Sequence, residues 1–522
     1  MSDLPSFFNW MLQHPEARER PWLMLGKGPS YSRRGDFDTR GFETLSLNHV
    51  VREQPVTAAH IIDVDVVNDC AEALLANARV VVMPWQPHRN NWVATPTLDD
   101  WADKIPVLDQ LRSEGRLLWY NLGTGKAPRA NSPVVPVRFF SAVAALGLLG
   151  QAGVRTVRSL GIDGGAAYSA AFVDLAEKTR LSNGWSNFDV QFEEFPKIMM
   201  RTGVEYSPLD AETPIRIYVA ATESEMLALK VLEFSIRKHC SVTTRVEPLH
   251  QAAIAIPMPQ KPENRPRTPF SFQRFLIPEV AGRTGKAIYL DADMQVFTDI
   301  RRLWQTPMQD AEILTVIEPS GSGRNPQFSV MLLDCEKLAW DIETIVGQLD
   351  GGEMSYEDLM YRMAAGGRVS RSLDPSWNSL ERYVEGETAL LHYTDMNTQP
   401  WVFDRHPYGY LWTRDLLQAI AAGIIDRELV VEHVRKGWVR PSLLVQVDEQ
   451  INDPLLLSSS ARRLDRAFVA PFRALGRRPS SAGGIGDVAK ARARDIYYRS
   501  SLPFWVRVIR SRLAPNPGSR KT

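Results

Sequence analysis

Cysteine is scarce in this sequence. Cys70, Cys240 and Cys335 are the only three among 522 residues, and no two of them have the Cys-x-x-Cys spacing. A disulfide framework is therefore excluded and a cysteine-based zinc site is not indicated, because both need several cysteines at short intervals. This usage is typical of a reducing compartment, and we expect a cytoplasmic protein.

Long apolar runs are also missing. The first residues, MSDLPSFFNW, contain an early Asp and Pro and no apolar core, so we expect no secretory signal. The most apolar stretch, residues 139–154, is interrupted by Gln151 and several glycines. It falls short of the roughly 18 to 20 apolar residues that a membrane span needs. We expect no segment to cross a bilayer.

The chain has no net charge, with 61 Lys and Arg against 61 Asp and Glu, but the charges are unevenly distributed. From residue 461 onward there are 15 Lys and Arg and three Asp, a net charge of +12, which leaves −12 for the rest. The terminal segment is therefore a separate basic region.

Aromatic side chains accompany the basic ones near the end of the chain, where Phe504 and Trp505 precede Arg507 and Arg510. Such a segment attracts anionic lipid at about 1 kcal/mol per surface charge, and its aromatics suit the membrane interface. We expect a peripheral contact with the cytoplasmic face of a membrane. A disordered solubilising tail is the alternative, and no other feature indicates nucleic-acid binding.

At 522 residues the chain is too long for one ordinary core, since domains average roughly 100 to 200 residues. Residues 22–165 alternate helix-like stretches with predicted strands at WLMLG, FETLSLN, AHIIDVDV, RVVVMPW, RLLWYNLG and VRTVRSLGID. This pattern is typical of a parallel sheet with helices on both faces. We predict an α/β protein with two Rossmann-like domains: a doubly wound parallel-sheet domain over 1–210, a second over 211–450, and a basic, partly helical or disordered tail over 451–522.

The second domain is predicted to begin with a strand over residues 215–221. Thr222 or Ser224 can cap the helix that follows, whose apolar positions have helical spacing.

Two aspartates end a later strand of this domain. The apolar run over residues 287–290 is followed by Asp291 and Asp293. Side chains two positions apart on an extended segment face the same side, so both carboxylates can point into one cleft. Each would raise the pKa of the other, and a Mg²⁺ or Mn²⁺ ion that in turn holds a diphosphate removes this conflict. The alternative is a pair of aspartates that cap the next helix or turn.

The surrounding sequence resembles glycosyltransferase family 8. The segment TPFSFQRFLIPEVAGRTGKAIYLDADMQVFTDIRRLW is similar to the family pattern of an F-x-R-x-x-I-P-E helix, a Y-L-D-A-D strand end and a D-I-x-x-L-W continuation. Five further segments are similar to family elements that occur in the same order. They are IRIYVAATESE, FSVMLLDCEKL, YEDL, LDPSWN and ALLHYTDMNTQPW. The resemblance implies a GT-A fold, a bound Mn²⁺ or Mg²⁺, and a nucleotide diphosphate sugar as donor, for which we expect a UDP-sugar.

The resemblance also implies a set of site residues. These are Asp291, Asp293 and His392 for the metal, Arg274 for sugar or phosphate oxygens, Ala221, Thr222 and Glu223 for the base and ribose, and Trp377 and Asn378 near the sugar. A planar guanidinium and a neutral imidazole are suited to the roles given to Arg274 and His392. Without the resemblance, His392 and Trp377 would be interpreted as core residues and Arg274 as part of a surface ion pair.

Some positions depart from the family pattern. Gln399 replaces the lysine of the family's K-P-W element, which removes a cation from the predicted diphosphate site. Glu357 and Asp358 stand where the family has D-Q-D. The family retains anomeric configuration, commonly without a clear protein nucleophile, and either carboxylate is our candidate for the group beneath the anomeric carbon. These departures leave an inactive relative as an alternative.

The first domain has a glycine-rich turn after its first strand, in PWLMLGKGPSYSR. Backbone amides there can cradle phosphate, and a plain strand-to-helix turn is the alternative. With LSLNHV and RFFSAVAALGLLGQAGVRTVRSLGIDGG, the region resembles sialyltransferase family 42 and the MptE-like Rossmann proteins. The resemblance implies a nucleotide pocket lined by Gly28, Ser30, Asn48, Ser141 and Asp163. Because no His follows in AAYSAAFVDLAEKTRLSNGWSNFD to act as the catalytic base of those sialyltransferases, we expect ligand binding or a supporting role in this domain.

Together these features predict a metal-dependent glycosyltransferase. It would move a hexosyl unit, with retention, from a UDP-sugar to a glycan or lipid-linked acceptor in surface polysaccharide or lipopolysaccharide synthesis. One alternative is a non-catalytic carbohydrate- or nucleotide-binding protein with degenerate transferase folds. Others are a bifunctional enzyme with a second transferase activity in the first domain, and a metal-dependent nucleotidyl or phosphodiester enzyme, for which we find no added carboxylate cluster.

Overall fold

A computed structural model of the chain describes residues 4–137, 140–179, 184–212, 214–317 and 326–471. These residues form two compact units. Unit 1 comprises the described residues up to Pro214 together with Ser241–Thr243, and unit 2 comprises Ile215–Cys240 and the described residues from Thr244 onward. The predicted membrane-contacting segment around Phe504 and Trp505 lies outside the described residues.

Unit 1 is built on one parallel sheet. Its strands are β1 Trp22–Leu25, β2 Glu43–Leu47, β3 Val56–His60, β4 Ala78–Pro84, β5 His88–Arg89, β6 Trp92–Val93, β7 Leu117–Leu122, β8 Val134–Val135, β9 Thr156–Leu160 and β10 Glu205–Pro208. The order is β10-β9-β1-β2-β3-β4-β7-β8 and all neighbours are parallel, while β5 and β6 form a separate antiparallel pair. The predicted parallel sheet is confirmed.

Helices cover both faces of this sheet. They are α1 Phe7–Gln13, α2 Pro15–Glu19, α3 Val64–Asp69, α4 Ala71–Asn77, α5 Leu98–Ala102, α6 Pro106–Ser113, α7 Ser141–Gln151, α8 Ala176–Thr179 and α9 Phe195–Thr202. Successive strand residues face opposite sides. Trp22 and Met24 accordingly pack in one core cluster with α1, α7 and α9, and Leu23 and Leu25 in another with α3, α5 and α6. The sheet is therefore doubly wound.

The third strand differs from its prediction. The run AHIIDVDV, residues 59–66, was predicted as a strand, but β3 ends at His60 and α3 begins at Val64. Short runs of β-branched residues do not distinguish a strand from a buried helical turn. Val64 and Val67, three positions apart, are both buried on the same helix face.

Unit 2 has a mixed six-stranded sheet and a small second sheet. Its strands are β11 Ile215–Ala220, β12 Thr244–Pro248, β13 Lys286–Asp291, β14 Met294–Val296, β15 Ile313–Val316, β16 Val330–Asp334, β17 Val369–Leu373, β18 Ser379–Leu380 and β19 Leu390–His392. The large sheet has the order β12-β11-β13-β16-β15-β17, in which β16 is antiparallel to both neighbours, and the small sheet has the order β14-β19-β18. The predicted α/β class is confirmed.

The helices of unit 2 are α10 Met226–His239, α11 Ile277–Val280, α12 Arg301–Trp304, α13 Ile342–Gly351, α14 Tyr356–Arg362, α15 Gly409–Ala421, α16 Arg427–Arg435, α17 Ser442–Asp448 and α18 Ser459–Leu464. One face of the large sheet packs Tyr218, Tyr289 and Met331 into a core shared with α13 and α14. Helix α10 is joined to the small sheet because Ser235 Oγ accepts a hydrogen bond of 3.0 Å from Val296 N.

The chain continues as folded structure after α17. Arg462 of α18 forms an ion pair with Asp404, and Asp465 accepts a 2.8 Å hydrogen bond from Ser442 N. The described start of the predicted tail is thus packed on unit 2. Among the described helices, none combines the length and apolarity that a membrane span requires.

Candidate active site

Strand pairing brings the two aspartates and His392 together. Asp291 is the last residue of β13, and Asp293 directly precedes β14. Strand β14 is antiparallel to β19, with Met294 opposite His392, and Tyr393 N donates a 2.9 Å hydrogen bond to Asp293 O. This pairing explains how a histidine distant in sequence reaches the carboxylates.

The three side chains have the geometry of a cation site. One ligand-type atom from each of Asp291, Asp293 and His392 lies within 4.8 Å of the other two. His392 Nε2 is 3.1 Å from Asp293 Oδ1 and 3.9 Å from Asp291 Oδ2. Oxygen and imidazole ligands suit Mg²⁺ and Mn²⁺. No other group of three such side chains has this spacing in the part of the chain that the structure describes.

Each carboxylate is oriented by a second hydrogen bond. Tyr289 OH donates to Asp291 Oδ1 at 2.6 Å. Gln399 Nε2 donates to Asp293 Oδ2 at 2.9 Å and to Tyr393 O at 3.0 Å. Such outer partners fix the rotamers of metal ligands. Gln399, which the sequence comparison marked as a lost cation, therefore supplies an N–H donor to the site.

His392 is oriented by Asn378. The distance between His392 Nδ1 and Asn378 Oδ1 is 2.9 Å. An amide oxygen only accepts hydrogen bonds, so Nδ1 has the hydrogen and Nε2 faces the carboxylates with its lone pair in the neutral form. Trp377, the preceding residue, is buried in a short 3₁₀ turn, so the structure places Asn378 in the site and Trp377 in the packing beneath it.

Negative charge is in excess around these residues. Burial raises the pKa of the Asp291 carboxyl, although the charges of Arg274 and His392 oppose the shift. Burial lowers the pKa of His392, but the Asp293 and Asp291 carboxylates outweigh it and the net shift is upward. Burial also raises the pKa of Glu225, with Asp293 and Asp291 acting in the same direction. A divalent cation would offset this excess.

Arg274 lies above the tyrosine that binds Asp291. Its guanidinium carbon is 4.9 Å from the centre of the Tyr289 ring, and its Nη1 donates to Gln327 O at 2.7 Å. The side chain is buried, and its Nε has no hydrogen-bond partner among the described residues. Arg274 thus belongs to the Asp291 side of the site, and it does not form the surface ion pair of the alternative interpretation.

The β11 loop lies at the same sheet edge. Ala220 is the register partner of Asp291, so Ala221, Thr222 and Glu223 follow β11 beside the candidate metal ligands. Gln273 holds this loop, because its side-chain amide accepts from Ala221 N at 3.0 Å and donates to Ala221 O at 2.9 Å. The strand pairing brings the predicted base and ribose contacts next to the aspartates.

Thr222 and Glu223 have different environments. Thr222 N and Oγ1 donate to Glu225 Oε2 at 2.6 and 2.7 Å, which closes a capping box at the start of the helix leading into α10. The Glu223 side chain is 66% exposed and lies 3.0 Å from His250 Nε2. Of the two predicted caps, Thr222 is the one that forms the box.

Glu357 and Asp358 are not joined to the aspartates by any contact among the described residues. Asp358 Oδ2 accepts from Ser355 N at 3.1 Å and from Ser355 Oγ at 2.7 Å, and Asp358 pairs with Arg362. Glu357 forms an ion pair with Arg267. Both carboxylates therefore have structural partners in and near α14, and their catalytic role stays a prediction.

Sequence reasoning missed three residues of this site: Tyr289, Gln273 and Glu225. Glu225 had a signal, because Thr222-x-x-Glu225 is a capping-box pattern. Tyr289 had one too, because it is the first residue of the Y-L-D-A-D pattern, but that pattern does not show the contact of its hydroxyl with Asp291, and Gln273 had no signal. Their contacts depend on which strand and which 3₁₀ turn lie side by side in the folded unit.

The predicted residues of unit 1 also lie together. Asn48 Nδ2 donates to Ser141 Oγ at 3.2 Å, and Ser30 N donates to Asp163 Oδ2 at 2.8 Å. Gly28, Asn48, Ser141 and Asp163 line one cavity. Ser30 lies behind the cavity, where its Oγ accepts from Gly161 N at 2.7 Å.

Three amides of the glycine-rich turn of unit 1 are bonded within the protein. Gly26 N donates to Leu160 O and Gly28 N to Gly161 O, both at 2.8 Å, and Ser30 N is bonded to Asp163. These three N–H groups are therefore not available to a phosphate, which favours the alternative of a plain strand-to-helix turn. The turn instead joins the ends of β1 and β9.

Residues 197–340 match the family model described as Glycosyl transferase family 8. This segment of the chain is that of a glycosyltransferase family 8 domain. The match includes Ala221, Thr222, Glu223, Arg274, Asp291 and Asp293, and it confirms the predicted family and enzyme class. No curated protein matches the sequence.

Several solved structures are similar to this chain. The bifunctional glycosyltransferase WbbM has 12% identity and a TM-score of 0.28, with 41% of this chain and 51% of WbbM covered. GlyE of Streptococcus pneumoniae TIGR4 has 17% identity and a TM-score of 0.31, with 43% and 65% covered. The galactosyltransferase LgtC, solved with donor and acceptor sugar analogs, has 15% identity and a TM-score of 0.29, with 39% and 95% covered. The chain thus spans about half of WbbM and just under two thirds of GlyE.

Proposed function

We propose that unit 2 transfers a hexosyl unit from a nucleotide diphosphate sugar, expected to be a UDP-sugar, in a metal-dependent reaction. The observation that supports this proposal is the cluster of Asp291, Asp293 and His392 beside the β11 loop, with both aspartates inside the family 8 segment. Paired carboxylates that are each oriented by a donor are suited to hold a hard cation and, through it, a diphosphate.

The chain's own residues would divide the work as follows. Asp291, Asp293 and His392 Nε2 would hold Mn²⁺ or Mg²⁺, and when bound the ion would supply positive charge to the departing nucleoside diphosphate. Arg274 adds a second positive charge on the Asp291 side, which favours the same developing negative charge. The β11 loop would bind the base and ribose, since it lies at the carboxyl edge of the sheet.

The acceptor and the cellular site are further parts of the proposal. We propose a glycan or lipid-linked acceptor in surface polysaccharide or lipopolysaccharide synthesis, transfer with retention, and a cytoplasmic enzyme that is peripheral on the membrane. The net charge of +12 from residue 461 onward supports an anionic membrane partner. Sedimentation with vesicles of anionic and neutral lipid, comparing the full chain with residues 1–471, would test this. Equal sedimentation of both forms would contradict it.

Donor hydrolysis by the purified full chain tests the transferase proposal. We expect a member of a UDP-sugar panel to be hydrolysed with Mn²⁺ and not with a chelator, and Asp293→Ala to reduce the rate by more than about 100-fold, because metal ligation is lost. Asp310→Ala, at an exposed aspartate of the same unit, is the matched control. Metal-independent nucleotide binding without turnover by the wild-type chain would favour the non-catalytic alternative.

A further inference from the structure

Unit 1 has a cavity of about 570 Å³ at the carboxyl edge of its sheet. The cavity lies where the order of the strands reverses. From β1 the chain fills β2, β3, β4, β7 and β8 on one side, and then returns to place β9 and β10 on the other side of β1. In open parallel sheets, ligands bind in the crevice at such a reversal. Residues after both central strands, Gly26–Gly28 and Gly161–Asp163, line the cavity.

The backbone closes the base of this crevice. A Cβ on Gly26 would lie 2.2 Å from Gly161 O, and one on Gly161, whose φ is +74°, would lie 2.1 Å from Gly26 O. The two loops are therefore in direct backbone contact. Because the amides of Gly26, Gly28 and Ser30 are bonded within the protein, they are not donors for a ligand phosphate.

The charged side chains of the lining are mostly acidic. Among the described residues, the lining includes one lysine, Lys27, four aspartates, Asp63, Asp65, Asp69 and Asp163, and no arginine. A nucleoside diphosphate would add negative charge to this surface, which has no group of candidate metal ligands like that of unit 2 among the described residues. Like charges at this range disfavour such a ligand, whereas a neutral or singly charged ligand is compatible with Lys27.

Several lining residues have acceptor atoms without partners. Asp63 Oδ1, Asn48 Oδ1 and His49 Nδ1 are buried and have no hydrogen bond among the described residues. His49 Nε2 lies 3.2 Å from Asp69 Oδ2, so Nε2 has the hydrogen in the neutral ring and Nδ1 accepts. Buried acceptors without a hydrogen bond destabilise the folded state. A ligand rich in hydroxyl groups would supply the missing donors.

One wall of the cavity is aromatic. The Tyr168 and Phe188 rings are stacked with their centres 6.0 Å apart, and Lys27 Nζ is 4.6 Å from the centre of the Tyr168 ring. Binding pockets commonly combine such apolar faces with a few polar groups that fix orientation.

Burial lowers the pKa of Lys27 to about 8, so it is still mainly protonated near neutral pH.

We propose that this cavity is a second ligand site, independent of unit 2, and that it binds a saccharide with at most one negative charge. The hydroxyl groups would donate to Asp63, Asn48 and His49, a sugar ring face would contact Tyr168, and a single carboxylate, where present, would pair with Lys27. The cavity is not a site for a nucleoside diphosphate.

Saturation-transfer NMR on the full chain tests this site. The probes are lactose, N-acetylglucosamine, glucuronic acid and, with Mg²⁺, UDP. The test is made in an Asp293→Ala background, which removes one of the candidate metal ligands of unit 2. We expect signals from at least one of the saccharides, and at least tenfold weaker binding when Ser141→Leu fills the cavity or when Asp63→Asn replaces an acceptor by a donor. Asp36→Asn, at an exposed aspartate of unit 1, should leave binding unchanged.

Melting temperatures establish that each variant is folded. The proposal is overturned if none of the saccharides gives a signal, if Ser141→Leu leaves the signals unchanged in a folded chain, or if UDP binds to the Asp293→Ala chain and Ser141→Leu abolishes that binding. None of these results depends on donor hydrolysis by unit 2, so this proposal and the transferase proposal fail separately.

Discussion

At the scale of single residues, Gln399 links the candidate metal site to its support. Its Nε2 contacts both Asp293 Oδ2 and the carbonyl of Tyr393. Oδ2 is thereby fixed, and Oδ1 faces His392 Nε2 at 3.1 Å. A neutral donor at this position orients the ligand without adding a positive charge that would compete with the metal.

We expect Gln399→Leu to weaken Mn²⁺ binding by roughly 10- to 100-fold, as is typical when an outer partner of a metal ligand is removed. Isothermal titration calorimetry with Mn²⁺ would measure this. Gln305→Leu, at an exposed glutamine of unit 2, is the control and should bind Mn²⁺ as the wild type does. Equal affinities for all three proteins would show that Asp293 does not need its donor.

Asp63 in unit 1 gives a pH-dependent prediction. Burial raises its pKa from 3.8 to about 6. Below pH 3.8 both the folded and the unfolded chain keep the proton. As the pH rises, the unfolded chain releases it first, and above pH 6 the folded chain must bury the charge. Asp63 therefore destabilises unit 1 at neutral pH and has little effect at low pH.

We expect Asp63→Asn to raise the melting temperature at pH 7.5 and to leave it almost unchanged at pH 4. Calorimetry at the two pH values measures this, with Asp36→Asn as the exposed control. A shift of the same size at both pH values would mean that the charge is not the cause. If Asp63→Asn is more stable and also no longer binds saccharide, Asp63 lowers the stability of unit 1 but is needed for binding.

The site residues that could be predicted from the sequence are those that follow a recognisable strand or motif, and the missed ones depend on tertiary contacts. Asp291 and Asp293 follow a strand that is visible in the sequence, and His392 was placed by the family resemblance; the structure brings all three together. Tyr289 could not be placed, because a buried strand tyrosine has the same pattern whether or not its hydroxyl reaches a carboxylate. Asp358 was placed by motif alone, whereas its neighbour Ser355 signals an ordinary helix cap.

At the scale of elements, two helices offer a matched test of that cap. Asp358 closes the capping box of α14 with Ser355 in unit 2, and Asp100 closes that of α5 with Thr97 in unit 1. Both are the third residue of their helix and both bond back to the capping residue. The two aspartates therefore have the same local role in different units.

We expect Asp358→Ala and Asp100→Ala each to lower the free energy of unfolding of its own unit, because the bond from the third helix residue back to the capping residue is lost. Thermal unfolding measures this. Donor hydrolysis by Asp100→Ala should stay within a few-fold of the wild type, because Asp100 lies in the other unit. A loss of several orders of magnitude in Asp358→Ala, without the same loss in Asp100→Ala, would instead support the predicted role beneath the anomeric carbon.

Elements were easier to predict than their order. Apolar runs such as WLML and LLWYNL predict strands because they are buried on both faces of a parallel sheet. The reversal that puts β9 beside β1 has no local signal, since it depends on contacts between loops far apart in sequence. The predicted end of β3 was wrong for a related reason. Over so short a run, valines at helical spacing also fit the pattern of a strand.

At the scale of the whole molecule, each unit has its own core, so a ligand should stabilise only the unit that binds it. We expect Mg²⁺ at about 100 times its Kd to stabilise unit 2 by about 2.7 kcal/mol and to leave unit 1 unchanged. Differential scanning calorimetry of the full chain measures this. The Asp358→Ala and Asp100→Ala variants identify which transition belongs to which unit.

Two variants serve as controls for the calorimetry experiment. Asp293→Ala should abolish the Mg²⁺-induced shift, while Asp63→Asn should keep it. A shift that Asp293→Ala retains would mean that Mg²⁺ binds elsewhere in the chain. The sequence predicted two domains with a boundary near residue 210, and the two compact units divide close to that point, but nothing in the sequence indicated whether they respond to a ligand separately.

The contact between Gly26 and Gly161 has a consequence for how this protein can evolve. Since any side chain at either position would collide with the other loop, a mutational scan should find almost no tolerated replacement at these two positions. Lys27, which lies between two glycines, has no such restriction. New ligand preferences in unit 1 would therefore arise by substitution of the side chains around these two loops. Relatives could differ in ligand specificity while the contact between Gly26 and Gly161 stays the same.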